Sequence, residues 1–160
     1  MSETTERPDW DNYFLNISKV VASRSSCHRN KVGAVIVKDK NILSSGYNGA
    51  PTHQRNCLEI RNCYRNENGI KSGTQLEMCR ASGSHAESNA ICLAAKNGMS
   101  VKDATIYIVG HNYICNMCKA MIANSGIKEF VLLSTDGSIL QGLVAWEWFN
   151  HPIDLIKKEN

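Results

Sequence analysis

The sequence predicts an α/β fold in a single domain over residues 1–160, with a central mixed sheet and helices packed against it. Two observations carry this. Residues 32–37 and 42–47 are short β-rich runs separated by Lys38, Asp39, Lys40 and Asn41, the pattern of an antiparallel hairpin. Further on, residues 104–109, 115–125 and 130–133 read as strand, helix and strand, an order that implies parallel pairing through a right-handed crossover. At 160 residues the chain is also long enough for one core to bury the apolar surface that a domain needs.

Taken in order, residues 10–21 carry Tyr13, Ile17, Val20 and Val21 at the three-and-four spacing of an amphipathic helix, with Asp9 or Asp11 as its cap. The hairpin follows. From 49 to 83 the sequence is an irregular, Cys-containing insertion of Gly, Asn, Pro and Arg without a sustained period. A structureless stretch of that length is uncommon, so something other than an apolar core must fix it. From 85 to 96 Ala86, Ala90, Leu93 and Ala94 share a helical face, and Asn97-Gly98 is the stop. Gly126 ends the 115–125 helix. The segment with Trp146, Trp148 and Phe149 has no pattern that assigns it an element.

A composition of 42% hydrophobic and 21% charged residues is that of a globular protein, and no apolar run approaches the roughly 20 residues of a membrane span. No membrane partner is expected. The polar, acidic start MSETTERPDW lacks the pattern of a secretory signal, so a cytoplasmic location is the expectation. Seven cysteines in a reducing compartment read as metal ligands or buried thiols, not disulfides. The net charge of +3 comes from scattered basic residues, which suit an anionic small molecule better than a nucleic-acid polymer.

The chemistry concentrates in His85-Ala86-Glu87 at one helix start and Cys115-Asn116-Met117-Cys118 at another. Alone, Ser84 to Glu87 fits a capping box, and a CxxC pair fits a structural zinc site or a redox pair. Together they match HxE followed by PCxxC, the signature of zinc nucleobase deaminases. In this reading His85, Cys115 and Cys118 hold zinc with a fourth position left for water, and Glu87 is the proton shuttle. Ile114 stands where the signature has proline, which takes rigidity from the helix entry without removing a ligand.

Beyond the signature, RNKVGAVIV (29–37), SSGYNGAP (44–51), HAESNAI (85–91) and CKAMIANSGIK (118–128) resemble the deoxycytidylate (dCMP) deaminases of the cytidine/deoxycytidylate deaminase superfamily. The likeness runs from about Trp10 to Leu133. It implies a cytidine-deaminase-like three-layer α/β/α sandwich and zinc-dependent hydrolysis of dCMP to dUMP and ammonia, which supplies dUMP for thymidylate synthesis. It places the sugar at Asn48, and the base against Ala86 between residues 32–34 and His85. Arg24, Arg29 and Lys31 are the nearest cations for a phosphate. It further implies dCTP activation and dTTP inhibition through Gly46, Tyr47, Asn48 and Gly49, in a homo-oligomer that is a hexamer in larger members. Some members hold a second, structural zinc in this region at positions that Cys27 and Cys57 match, and Cys63 and Cys79 would complete a four-thiolate set, with His53 a weaker ligand and buried free thiols the alternative. Rival readings are a cytidine or deoxycytidine deaminase, a tRNA adenosine deaminase, and a noncatalytic zinc-binding module. Glu87 counts against the last, because a metal scaffold has no use for a carboxylate two residues after a ligand.

Overall fold

A computed structural model of the chain describes residues 6–145 and Trp148, so Trp146 and Phe149 lie outside the described residues. Helix α1 (Trp10–Ala22) is capped by Asp9, whose carboxylate accepts from the Asn12 N–H at 2.8 Å. Strands β1 (Gly33–Lys38) and β2 (Asn41–Tyr47) form the expected antiparallel hairpin. The irregular segment holds only single helical turns, α2 (Cys57–Ile60), α3 (Tyr64–Glu67) and a 3-10 turn at Leu76–Met78. Then come α4 (Ala86–Lys96), β3 (Thr105–Val109), α5 (Asn116–Asn124), β4 (Glu129–Leu133) and β5 (Ile139–Leu143).

The sheet order is β2-β1-β3-β4-β5, with β3 and β4 parallel and the other pairs antiparallel. Alternation along the strands divides the core in two. Val35, Val37, Tyr107, Val109 and Val131 meet Phe14 and Leu15 of α1 on one face. Ala34, Ile36, Ile106, Ile108 and Leu132 meet Ala90 of α4 and Ile122 of α5 on the other. This is the expected three-layer sandwich. Among the described residues, no helix is long and apolar enough to cross a membrane.

Strand β5 has no counterpart in the sequence reading. All five of its residues are exposed, so it lacks the one-sided alternation that marks a half-buried strand. It pairs along β4 through backbone hydrogen bonds after the Asp136-Gly137 turn. His85 and Cys115 are N-caps, so α4 and α5 each begin one residue later than the sequence reading places them.

Two glycines set how closely the helices approach. A Cβ on Gly33 would collide with the Ser18 carbonyl and the Ala22 nitrogen of α1, and one on Gly46 with the Ala86 carbonyl and the Ala90 nitrogen of α4. Because Ala86 lies between His85 and Glu87, the contact at Gly46 also fixes the entry of α4. Gly46→Ala should therefore cost about 1–3 kcal/mol, as overpacking against backbone does. Thermal unfolding measures this, and an unchanged midpoint would show that α4 is free to move.

Candidate active site

The first turn of α4 is built so that Glu87 need not cap it. The Ser88 hydroxyl accepts from the His85 N–H at 3.0 Å and lies 3.0 Å from the Gly83 carbonyl, to which it donates. Ser88 thus does what the Ser84-to-Glu87 capping box would have done, and Glu87 is left facing inward at 6% exposure. Across from it Cys115 is the N-cap of α5, with Cys118 in the helix's first turn and fully buried. Ile114, in place of a proline, puts its side chain into the core beneath this helix entry.

His85 Nδ1 lies 3.5 Å from the Cys115 Sγ and 3.4 Å from the Cys118 Sγ. The three ligand atoms all fall within 4.8 Å of one another, and they are the convergent group of this kind among the described residues. A tetrahedral zinc with bonds of about 2.0–2.3 Å separates its ligand atoms by roughly 3.5–3.8 Å. The donor set and its spacing fit zinc, with three ligands leaving a fourth position. Both cysteines sit at the positive end of a helix, which favours thiolate.

The electrostatics are those of strongly coupled, desolvated groups. The hydrogen bond from Cys118 holds the Cys115 thiol well below the usual range, while the same pairing and burial push Cys118 up. The hydrogen bond to Cys115 raises His85. Burial raises the Glu87 carboxyl above the ordinary carboxylate value.

His85, Glu87 and Cys115 line an open cavity. Ala86 and Asn48 line it, as the sequence placed them. The Asn48 Oδ1 accepts from the Val32 N–H at 2.9 Å and the Ser25 hydroxyl at 2.7 Å, and its Nδ2 donates to the Asn30 carbonyl at 2.9 Å. Asn48 therefore braces the 25–32 loop and keeps one amide hydrogen for a ligand. Of the three cations proposed for a phosphate, Arg29 lines the cavity; Arg24 and Lys31 are exposed and outside its lining. Cys27, Cys57, Cys63 and Cys79 are all in the wall, whereas His53 is exposed and outside it.

Among the lining residues that escaped the sequence reading are His111 and Arg65. His111 is half-buried, packs edge-on against Tyr113 with ring centroids 4.4 Å apart, and has its pKa lowered by burial. Its only sequence signal is nearness to Cys115. Arg65 is 7% exposed, and nothing in an aperiodic loop distinguishes it from its exposed neighbours.

Comparison with known proteins agrees with this geometry. The profile of the cytidine and deoxycytidylate deaminase zinc-binding region matches residues 8–134. The deoxycytidylate deaminase of Mycobacterium phage D29 is 39% identical over 128 residues, covering 78% of this chain and 94% of that protein. That of Saccharomyces cerevisiae is 35% identical over 125 residues, and the match spans only 38% of its length. The crystal structure of dCMP deaminase from cyanophage S-TIM5 in complex with dCMP and dUMP superposes with a TM-score of 0.60 at 27% identity, covering 79% of this chain and 82% of that one. With the His85, Cys115 and Cys118 set in place beside a buried Glu87, the chain belongs to the cytidine and deoxycytidylate deaminase family of zinc enzymes.

Proposed function

We propose that this chain hydrolyses dCMP to dUMP and ammonia, and so supplies dUMP for thymidylate synthesis. The observation that carries the reading is a buried carboxyl, Glu87, beside the convergent His85, Cys115 and Cys118 at an open cavity. A noncatalytic zinc module would gain nothing from burying an ionisable group there. The names of the phage and yeast relatives, and the dCMP and dUMP in the S-TIM5 structure, favour the monophosphate over a free nucleoside or tRNA adenosine.

His85, Cys115 and Cys118 would hold the metal. Bound zinc supplies Lewis-acid activation, which would lower the pKa of water toward roughly 7. Glu87 carries the protons: its carboxylate takes one from the attacking water, delivers it to the ring nitrogen beside the amino-bearing carbon, and later moves one to the departing ammonia. Ala86 and Asn48 border the space for base and sugar. Regulation by dCTP and dTTP through Gly46, Tyr47, Asn48 and Gly49, within a homo-oligomer such as a hexamer, belongs to the same reading. The exposed Tyr47 ring beside the braced Asn48 supports it.

A second zinc at Cys27, Cys57, Cys63 and Cys79 would anchor the 49–83 segment. In support, all four thiols are part-buried in one wall, and burial, then Cys63, Cys27 and Cys79, push the Cys57 thiol up.

An ammonia-release assay across dCMP, CMP, deoxycytidine and dCTP should show dCMP as the best substrate. Glu87→Gln should keep its zinc and lose at least roughly 100-fold in turnover. Near-normal turnover in the zinc-loaded variant would remove Glu87 from the mechanism. Metal analysis should find two zincs per chain, one lost in Cys118→Ala and the other in Cys57→Ser. A single zinc in metal-replete protein would return the four outer cysteines to ordinary thiols.

A further inference from the structure

Two arginines in the cavity wall are held without a counter-charge. Arg65, in α3, is 7% exposed, and Arg29 is half-buried. Each is anchored through one nitrogen. Arg29 Nη2 donates to the Ile70 carbonyl at 2.6 Å, and Arg65 Nη2 to the Lys71 and Thr74 carbonyls at 3.0 and 2.8 Å. Each also keeps a buried nitrogen with no hydrogen-bond partner, Nη1 of Arg29 and Nε of Arg65. Among the described residues neither arginine forms an ion pair.

A guanidinium cannot lose its charge in a protein, so this arrangement leaves positive charge and unmet donors out of water. Leaving buried charge unpaired is strongly destabilising. An anion with several acceptor oxygens relieves both defects at once, and an arginine fork suits phosphate oxygens in particular. Both arginines are tied to the same turn, residues 70–74, so their positions are set before a ligand arrives. They share their cavity with His85 and Glu87.

We propose that Arg29 and Arg65 form the phosphate subsite, holding the 5′-phosphate of a nucleotide whose base reaches the His85 and Glu87 end of the cavity. This deepens the deaminase reading above and rests on it for the placement of the base. Arg65, the more buried of the two, is the main determinant of monophosphate over nucleoside. Thiolates of the four cysteines in the same wall are the competing source of negative charge, and the test separates the two.

In zinc-loaded enzyme, Arg65→Gln should lower the ratio of kcat/KM for dCMP to that for deoxycytidine by roughly 10–100-fold, the scale of a hydrogen bond to a charged group. Arg29→Gln should lower it in the same direction and carries the test if Arg65→Gln does not fold. Calorimetry gives a readout free of turnover: the wild type should bind dUMP more tightly than deoxyuridine, and the variants should lose that difference. A ratio within about twofold of the wild type, with both substrates falling together, would overturn the proposal and make the arginines braces for the loop or partners of the cysteines. If the wild type deaminates no cytosine compound, the deaminase reading fails, yet the dUMP comparison still decides the subsite. No preference for dUMP over deoxyuridine would overturn it.

Discussion

Glu87 and Cys118 are buried, and His85 and Cys115 half-buried, where the N-terminal ends of α4 and α5 meet, and that burial constrains the rest of the molecule. Charged groups are tolerated there only if each has a partner. Helix ends provide part of the answer, since their free N–H groups and positive dipole favour thiolates. A metal ion provides the rest, and its binding energy then adds to folding energy. Site and fold are therefore not separable: whatever moves either helix entry by an ångström changes the spacing among the three ligand atoms.

This explains where the packing is tightest. Strand β1 is buried on both faces and lies between α1 and α4. Glycine occurs at the two points where a helix backbone presses on the sheet, Gly33 under α1 and Gly46 under α4. The Ser18 hydroxyl, 3.0 Å from the Phe14 carbonyl of its own helix and 3.1 Å from the Tyr107 carbonyl, bridges α1 to β3. On the opposite face the small residues Ala86, Ala90 and Ala94 let α4 lie close to the sheet, which carries His85 and Glu87 down toward α5. The GYNG sequence, which by resemblance points to effector binding, has an architectural task at its first glycine and another at Asn48.

Much of this was legible in the sequence because the signals were local. Three-and-four spacing marked α1 and α4; the hairpin pattern marked β1 and β2; the strand, helix, strand order marked β3, α5 and β4; the HAE and CNMC motifs marked the convergent His85, Cys115 and Cys118 and the buried Glu87. What stayed hidden depends on contacts distant in sequence. Strand β5 exists by pairing with β4 while its own side chains face solvent. The choice between Glu87 and Ser88 as the capping partner is undetermined by Ser84-His85-Ala86-Glu87-Ser88, where both are within reach of the helix start. It is settled by the cavity, which takes Glu87. Arg65 and His111 become distinctive only once the loop has folded over the site.

The 49–83 segment is irregular for the same reason that it is useful. An amphipathic helix in its place would show the sheet an apolar stripe, whereas this wall must present cationic and thiol groups to a cavity. Its order accordingly comes from polar ties. Asn56 and Glu59 cap α2 reciprocally, Asn62 donates to Glu67 at 2.9 Å, and Arg65 gathers the carbonyls of Lys71 and Thr74. Ile70 is its one buried aliphatic side chain. A wall of this kind gains little from apolar burial, so whatever neutralises its buried charges contributes a large share of its stability. The polar ties order the segment before a ligand arrives, and the aperiodic sequence that obscures the structure of this region is the physical consequence of presenting polar groups to a cavity.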